Sequence, residues 1–288
     1  MNTKTIVIHS KVAYGYVGSN TTSLVLQLAG QDVISVPTVV LSNRYGLPTV
    51  GGGLMPASLF EEVLDGILQL AILNEVSTII TGYIGSAKLV ELTACFIAKI
   101  KESHPEIVYV CDPVMGDHPQ GLYVKEEVPQ ALCKHLLPLA DVLTPNQFEM
   151  ETILQRKITT YAKLQEAIQQ DPMFQRKDVL VTGCRFSDLT HQALHIVVKE
   201  QQQYDVVTID YVPVDPPGTG ELFAALVLVL QARKSESYKD SVKEASRLIQ
   251  RVLHRIAEED RSEFSLHDIL SIHPIGMYIN LSMYLDIR

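Results

Sequence analysis

Residues 216–225, PPGTGELFAA, join a Gly-Thr-Gly turn to an apolar helix start and set a carboxylate, Glu221, in the first turn. Free backbone N–H groups at a helix start favour anions, phosphate above all. A glutamate there would repel a phosphate, unless it only complements the helix dipole, worth about 0.3–1 kcal/mol. Two further stretches carry carboxylates in chemically useful company. In CDPVMGD, 111–117, Asp112 either starts an Asp-Pro turn or offers a carboxylate to hydrated Mg2+, with Gly116 allowing close approach of substrate or nucleotide. In TPNQFE, 144–149, Asn146 and Glu149 have the spacing of a helix-capping box. The alternative is that Glu149 holds a metal-bound water while Thr144 and Asn146 face phosphate. Ser10 could bind a polar ring or merely stop a strand, and Tyr83 could stack on an aromatic ligand or pack as an ordinary tyrosine.

The elements that must position these residues alternate along the chain. Strand-like runs fall at 5–10, 32–41, 76–85, 107–112, 141–145 and 178–183, rich in Val and Ile and apolar on both faces. Helix-length stretches at 58–73 and 86–103 lie between them, which predicts a mostly parallel sheet with right-handed crossovers. Residues 193–200 and 205–213 read as an edge hairpin, 221–233 as a helix apolar nearly all round, and 238–259 as a more polar one. Several strands end in small or polar clusters, including Asp112, Thr144, Asn146 and Thr182. In open α/β sheets the ligand crevice lies beyond these carboxyl ends. The expectation is one domain over 1–288, with those clusters and the Gly218–Glu221 turn converging on one crevice.

Composition narrows the chemistry. A net charge of −9 argues against a nucleic-acid surface. A polyanionic small ligand would have to be held by backbone dipoles, a few local cations and a metal ion. The four cysteines are widely spaced with no CxxC pair, so zinc and disulfide frameworks are not expected. The chain runs almost directly into strand-like TIVIHS, and its longest apolar run is far short of the ~20 residues that span a bilayer. A cytoplasmic protein is expected. No Gly-Lys occurs, which closes the P-loop route to ATP, and Gly15-Tyr16-Val17-Gly18 has the wrong spacing for a dinucleotide fingerprint. None of the nine histidines pairs at metal-ligand spacing, and none is assigned a catalytic role.

Taken in order, HSKVAYGYVG, VPTVVLSN, TGYIGS, VYVCDPVMGD, LTPNQFE, VLVTG and GTGELFAA resemble the pyridoxal kinases of the ribokinase-like superfamily over about residues 5–255. The resemblance implies a three-layer sandwich, with helices on both faces of a mostly parallel sheet and an antiparallel edge hairpin. It implies ATP-dependent phosphorylation of the 5′-hydroxymethyl group of pyridoxal, pyridoxine or pyridoxamine. Gly218, Thr219 and Gly220 would form the anion hole, and Glu221 would take the proton from the attacking hydroxyl. Asp112, Asp117, Thr144 and Glu149 would handle ATP phosphates and Mg2+, with Asp117 also at the substrate. Thr182 and Gly183 would lie near the phosphates, and Val212 and Val214 near the base. Ser10, Val17 and Tyr83 would contact the pyridine ring, and Tyr123 would come from a lid segment. ATP and Mg2+ are the implied cofactors, a monovalent cation such as K+ stays open, and a homodimer is expected.

The chain departs from the pattern in four places. Glu221 stands where the family has Asp, and its extra methylene moves the carboxylate by about 1.5 Å. Ser19 replaces an Asn, Gly183 replaces a Ser, and SNRYGLP at 42–48 replaces SN-H-T. With no compensation visible around Glu221, a Glu221→Asp variant is expected to be faster. Two other readings stay open: phosphorylation of hydroxymethylpyrimidine, and a B6-vitamer or nucleotide-binding relative with weakened catalysis.

Overall fold

Val- and Ile-rich runs that are apolar on both faces need cover on both, and this chain supplies it from two sets of helices. The structure, a computed structural model, describes residues 3–190, 192–234 and 237–272. In chain order the strands are β1 (Lys4–Val12), β2 (Asp32–Leu41), β3 (Gly52–Leu54), β4 (Val76–Thr81), β5 (Val108–Cys111), β6 (Gly116–Asp117), β7 (Gly121–Leu122), β8 (Val142–Leu143), β9 (Asp178–Cys184), β10 (Ala193–Glu200) and β11 (Gln203–Asp210). All but β6 and β7 form one sheet in the order β11-β10-β9-β8-β5-β4-β1-β2-β3. From β9 through β2 the neighbours are parallel; β10–β11 at one edge and β3 at the other are antiparallel. The expected edge hairpin is therefore present. β3 is an addition, because GGGL reads as a turn.

The helices are α1 (Ser19–Leu28), α2 (Ala57–Gln69), α3 (Ala87–Ser103), α4 (Glu127–Ala131), α5 (Gln147–Ile153), α6 (Tyr161–Gln170), α7 (Thr219–Lys234), α8 (Tyr238–Glu258) and α9 (Leu266–Ile272). Alternation along β1 sorts them into layers. Ile6 and Ile8 join the core under α2, α3, α4 and α6, whereas Val7 joins the core with α1, α7, α8 and α9. α7 lies in the middle of its layer, which explains its apolar circumference, and α8 covers it with Val242, Ala245, Leu248, Ile249, Val252 and Ile256. Among the described residues no helix is long and apolar enough to cross a membrane.

The segment between α8 and α9 is tied down by a buried charge cluster. Asp268 is fully buried and accepts from Arg255 Nη2 at 2.6 Å, Arg261 Nη1 at 2.8 Å and Ser265 N at 2.8 Å. From there Glu263 reaches across to Arg44, accepting from Nε at 3.1 Å and Nη2 at 2.9 Å. Burial alone would raise the Asp268 carboxyl, but Arg261, Ser265 and Arg255 outweigh it and hold it well below the usual range. A depressed carboxyl stabilises the fold above its unfolded value and loses that contribution as pH falls. Asp268→Ala strands two arginines that are still about a quarter exposed, so a cost of about 3 kcal/mol is expected, read as a lower urea midpoint at neutral pH.

Candidate active site

Four strand ends and one helix start meet at the carboxyl edge of the sheet. Asp112 directly follows β5, its N–H held by the Thr81 carbonyl at the end of β4 at 2.9 Å. Thr144 directly follows β8, and its N–H donates to the Cys111 carbonyl at 3.1 Å. Thr182 lies within β9 and bridges to Asn146, with its N–H on the Pro145 carbonyl at 2.9 Å. Gly183 follows with φ +64. Across from them, Gly218 turns the chain with φ +98 into α7, and Thr219 Oγ1 donates to the Pro216 carbonyl at 2.7 Å. A side chain at Gly218 would strike the Tyr16 carbonyl oxygen at 2.4 Å, whereas one at Gly220 would meet nothing within 4 Å. The turn is thus packed hard against residues 16–18 on one side and open on the other.

Carboxylates crowd this crevice. Burial raises Asp112 well above the usual range, and the charges of Glu149 and Glu221 raise it further. Burial pushes Glu149 up to about 8 against the pull of the Asn146, Met115 and Gly116 N–H groups. Glu221 is raised by burial, opposed by its own N–H and that of Gly18, which donates to Glu221 Oε1 at 3.2 Å. No Lys or Arg is among the main causes of these shifts. Nor, among the described residues, are three His, Cys, Asp or Glu side chains arranged to hold a metal directly. Crowded carboxylates, with the buried Thr144 hydroxyl beside Asp112, fit a hydrated divalent cation and phosphate oxygens.

The capping box at TPNQFE is formed in full. Asn146 Oδ1 accepts from Glu149 N at 2.9 Å, and Glu149 Oε2 accepts from Asn146 N at 2.8 Å. Glu149 Oε1 accepts from Met115 N at 3.0 Å, and Asn146 Nδ2 donates to the Gly116 carbonyl at 2.8 Å. The box therefore also clamps the β6–β7 hairpin. This hairpin explains Gly116 differently from the expected ligand approach: a side chain there would strike the Gly121 carbonyl and the Phe148 ring, each at 2.4 Å. From the hairpin, Asp117 is raised by burial and by the charge of Asp215. Tyr123 follows the hairpin, its side chain partly exposed; desolvation and then the charges of Glu149, Asp117, Glu221 and Asp112 raise its phenol above the ordinary range. Asp215, in the loop before the Gly-Thr-Gly turn, escaped the sequence reading; its place directly before Pro216-Pro217 was the available signal. Val212 is buried in that loop, and Val214 is half-buried there against the α7 layer.

The ring side is built on β1 and β4. Ser10 is buried within β1, which runs two residues past it, so Ser10 does not end the strand as a strand-stopping reading requires. Val17 and Tyr83 pack with Val12, Val39, Leu41 and Val50 in a small separate apolar cluster. The Tyr83 carbonyl accepts from Thr38 Oγ1 at 2.6 Å, and its phenol is raised by burial and by neighbouring Tyr45. Asn20, also missed from sequence, pins the 13–18 loop by donating to the Val12 and Gly15 carbonyls at 2.9 and 3.0 Å.

This arrangement has close counterparts. The phosphomethylpyrimidine kinase family matches residues 48–265. A pyridoxal kinase of Corynebacterium diphtheriae is 33% identical over 219 residues, 76% of this chain and 77% of its own length. A pyridoxine/pyridoxal/pyridoxamine kinase of Bordetella avium is 33% identical over 220 residues, 76% of this chain and 74% of its own. The pyridoxal kinase of Leishmania donovani, solved with ADP and pyridoxamine, superposes with a TM-score of 0.83 at 28% identity, covering 94% of this chain and 96% of that one. By fold, by sequence and by the order of its crevice motifs, this chain belongs to the phosphomethylpyrimidine and pyridoxal kinases of the ribokinase-like superfamily.

Proposed function

We propose that this chain transfers the γ-phosphoryl group of ATP to the 5′-hydroxymethyl group of a B6 vitamer, with Glu221 as the base. One observation carries the reading: the Glu221 carboxylate lies within electrostatic reach of Asp112 at the mouth of the Gly-Thr-Gly turn. The attacking oxygen and the phosphoryl group must approach in line, so base and anion hole have to share one spot. Glu221 takes the hydroxymethyl proton as the oxygen bonds to the γ-phosphorus, and the bond to the bridging oxygen of ADP breaks. The free N–H groups of 218–220 face the transferring oxygens. Asp112, and Glu149 through water, would hold Mg2+, which neutralises phosphate charge. Thr144, Thr182 and Gly183 would line the phosphates, with Val212 and Val214 beside the base; Ser10, Val17, Tyr83, Asp117 and Tyr123 would enclose the ring. A homodimer belongs to the same reading, and light scattering tests it.

ATP turnover against pyridoxal, pyridoxine, pyridoxamine and hydroxymethylpyrimidine tests the proposal. The three vitamers are expected to lead in kcat/KM. A lead for hydroxymethylpyrimidine would move the chain to the sibling reaction, and vitamer binding without turnover would make it a weakened relative. Glu149→Gln keeps one acceptor for the cap but sets its amide NH2 against the Asn146 or Met115 N–H, so a lower Tm is expected whatever the role of Glu149. The metal role is read separately, as an at least tenfold rise in the Mg2+ needed for half-maximal rate. An unchanged Mg2+ requirement would leave Glu149 a capping residue only.

A further inference from the structure

His9 is 1% exposed, and its Nε2 has no hydrogen-bond partner. A buried donor without a partner is costly, and an apolar side chain would fill the space more cheaply. What the ring does is visible at its other nitrogen. Ser10 N donates to His9 Nδ1 at 2.8 Å, so Nδ1 carries no proton and the ring is the neutral Nε2–H tautomer. Ser10 Oγ lies 3.2 Å from the same Nδ1. With no proton on Nδ1, the Ser10 hydroxyl is the donor across that gap, sharing the one Nδ1 lone pair with the Ser10 N–H.

Adjacent side chains of a regular strand point to opposite faces and do not meet. Here they do meet, because the His9 ring folds back over its own backbone to the Ser10 N–H; beside it the pairing of β1 with β2 slips between His9 and Lys11, with the extra residue on β2. The surroundings are cut to suit. A side chain on Gly82 would strike the His9 ring at 2.0 Å, and one on Gly18 would strike Ser10 Oγ at 2.1 Å. Gly18 is also the residue whose N–H meets Glu221.

We infer that His9 is a positioning residue that holds the Ser10 hydroxyl proton, so that Ser10 offers only lone pairs to the ligand. The inference rests on the vitamer reading above. It identifies the ligand atom at Ser10 as a donor, an N–H of a protonated pyridine ring or a ring hydroxyl, and not a bare ring nitrogen.

Equilibrium binding of pyridoxal to the full chain tests this in a double-mutant cycle. His9→Leu, with no acceptor, is expected to weaken pyridoxal binding about tenfold while ATP binding holds. His9→Asn, whose Oδ1 stands near the place of Nδ1, should restore binding to within about threefold. In a Ser10→Ala background, His9→Leu should cost nothing further. An equal loss with and without Ser10, or no rescue by Asn, would make His9 structural only and overturn the inference. No pyridoxal binding by the natural chain would instead overturn the vitamer reading, and this inference with it.

Discussion

Glu221→Ala is expected to lower kcat by about 10²–10⁴-fold, the range that a positioned general base supplies, with the KM for ATP changed only a few-fold. Its pH signature separates a base from a bystander. Burial raises the Glu221 carboxyl above the ordinary range. A base works ionised, so its contribution is full above that raised value and lost as pH falls through it. The acid limb of kcat/KM should therefore lie above the roughly 4.3 of an ordinary glutamate, and it should vanish in the alanine variant. Glu221→Asp carries a second expectation. Sequence alone favours a faster aspartate, but the Gly18 N–H at 3.2 Å reverses this. That contact is a seat for the longer side chain, and aspartate would retreat from it by about 1.5 Å. The aspartate variant is expected to be slower, by about tenfold or more. Equal rates for Glu, Asp and Ala would leave Glu221 a helix-start carboxylate and nothing else.

Gly218→Ala is expected to cost about 10²-fold in kcat. The new Cβ would lie 2.4 Å from the Tyr16 carbonyl oxygen, on a backbone with φ +98. The Tyr16 loop cannot give way easily, because Asn20 pins it at the Val12 and Gly15 carbonyls. The turn itself must then shift by about 1 Å, enough for such a loss where geometry governs the reaction. Gly220→Ala is the informative partner, since the space there is open. If that space belongs to a phosphoryl group, Gly220→Ala should keep its Tm yet lose ATP affinity. Near-natural activity in both variants would mean that the turn is no anion hole.

Much of this was legible in the residues because burial on both faces leaves an unmistakable run of Val and Ile. β1, β2, β4, β5 and β9 announced themselves in that way, as did the apolar circumference of α7. α1 did not: SNTTSLVLQL is poor in strong helix formers, and tertiary contact buries Ser19, Thr21 and Thr22 to hold it helical. Nor did β3 and the β6–β7 hairpin, too short and too rich in glycine for any periodicity. In the site, Asp112, Glu149 and Glu221 stood out as carboxylates at strand and helix ends. Their crowding did not, because it depends on strand order, with β5 and β8 neighbours although 30 residues separate their ends. The capping box and the metal reading competed on sequence. In the structure the box exists, and the same carboxylate sits among the others. His9 was invisible because its role lies in a neighbour's proton rather than in any spacing among histidines.

The bond from Arg44 to Glu263 spans 219 residues, and that from Gly18 to Glu221 spans 203. During synthesis from the N-terminus, the first forty-odd residues are made early and include Ser10, Val17 and the 42–48 loop. Asn20 can pin the 13–18 loop early, but the contacts to Glu221 and Glu263 wait until α7 and then the α8–α9 segment have left the ribosome. The N-terminal side of the crevice therefore gains its last two ties only near the end of translation.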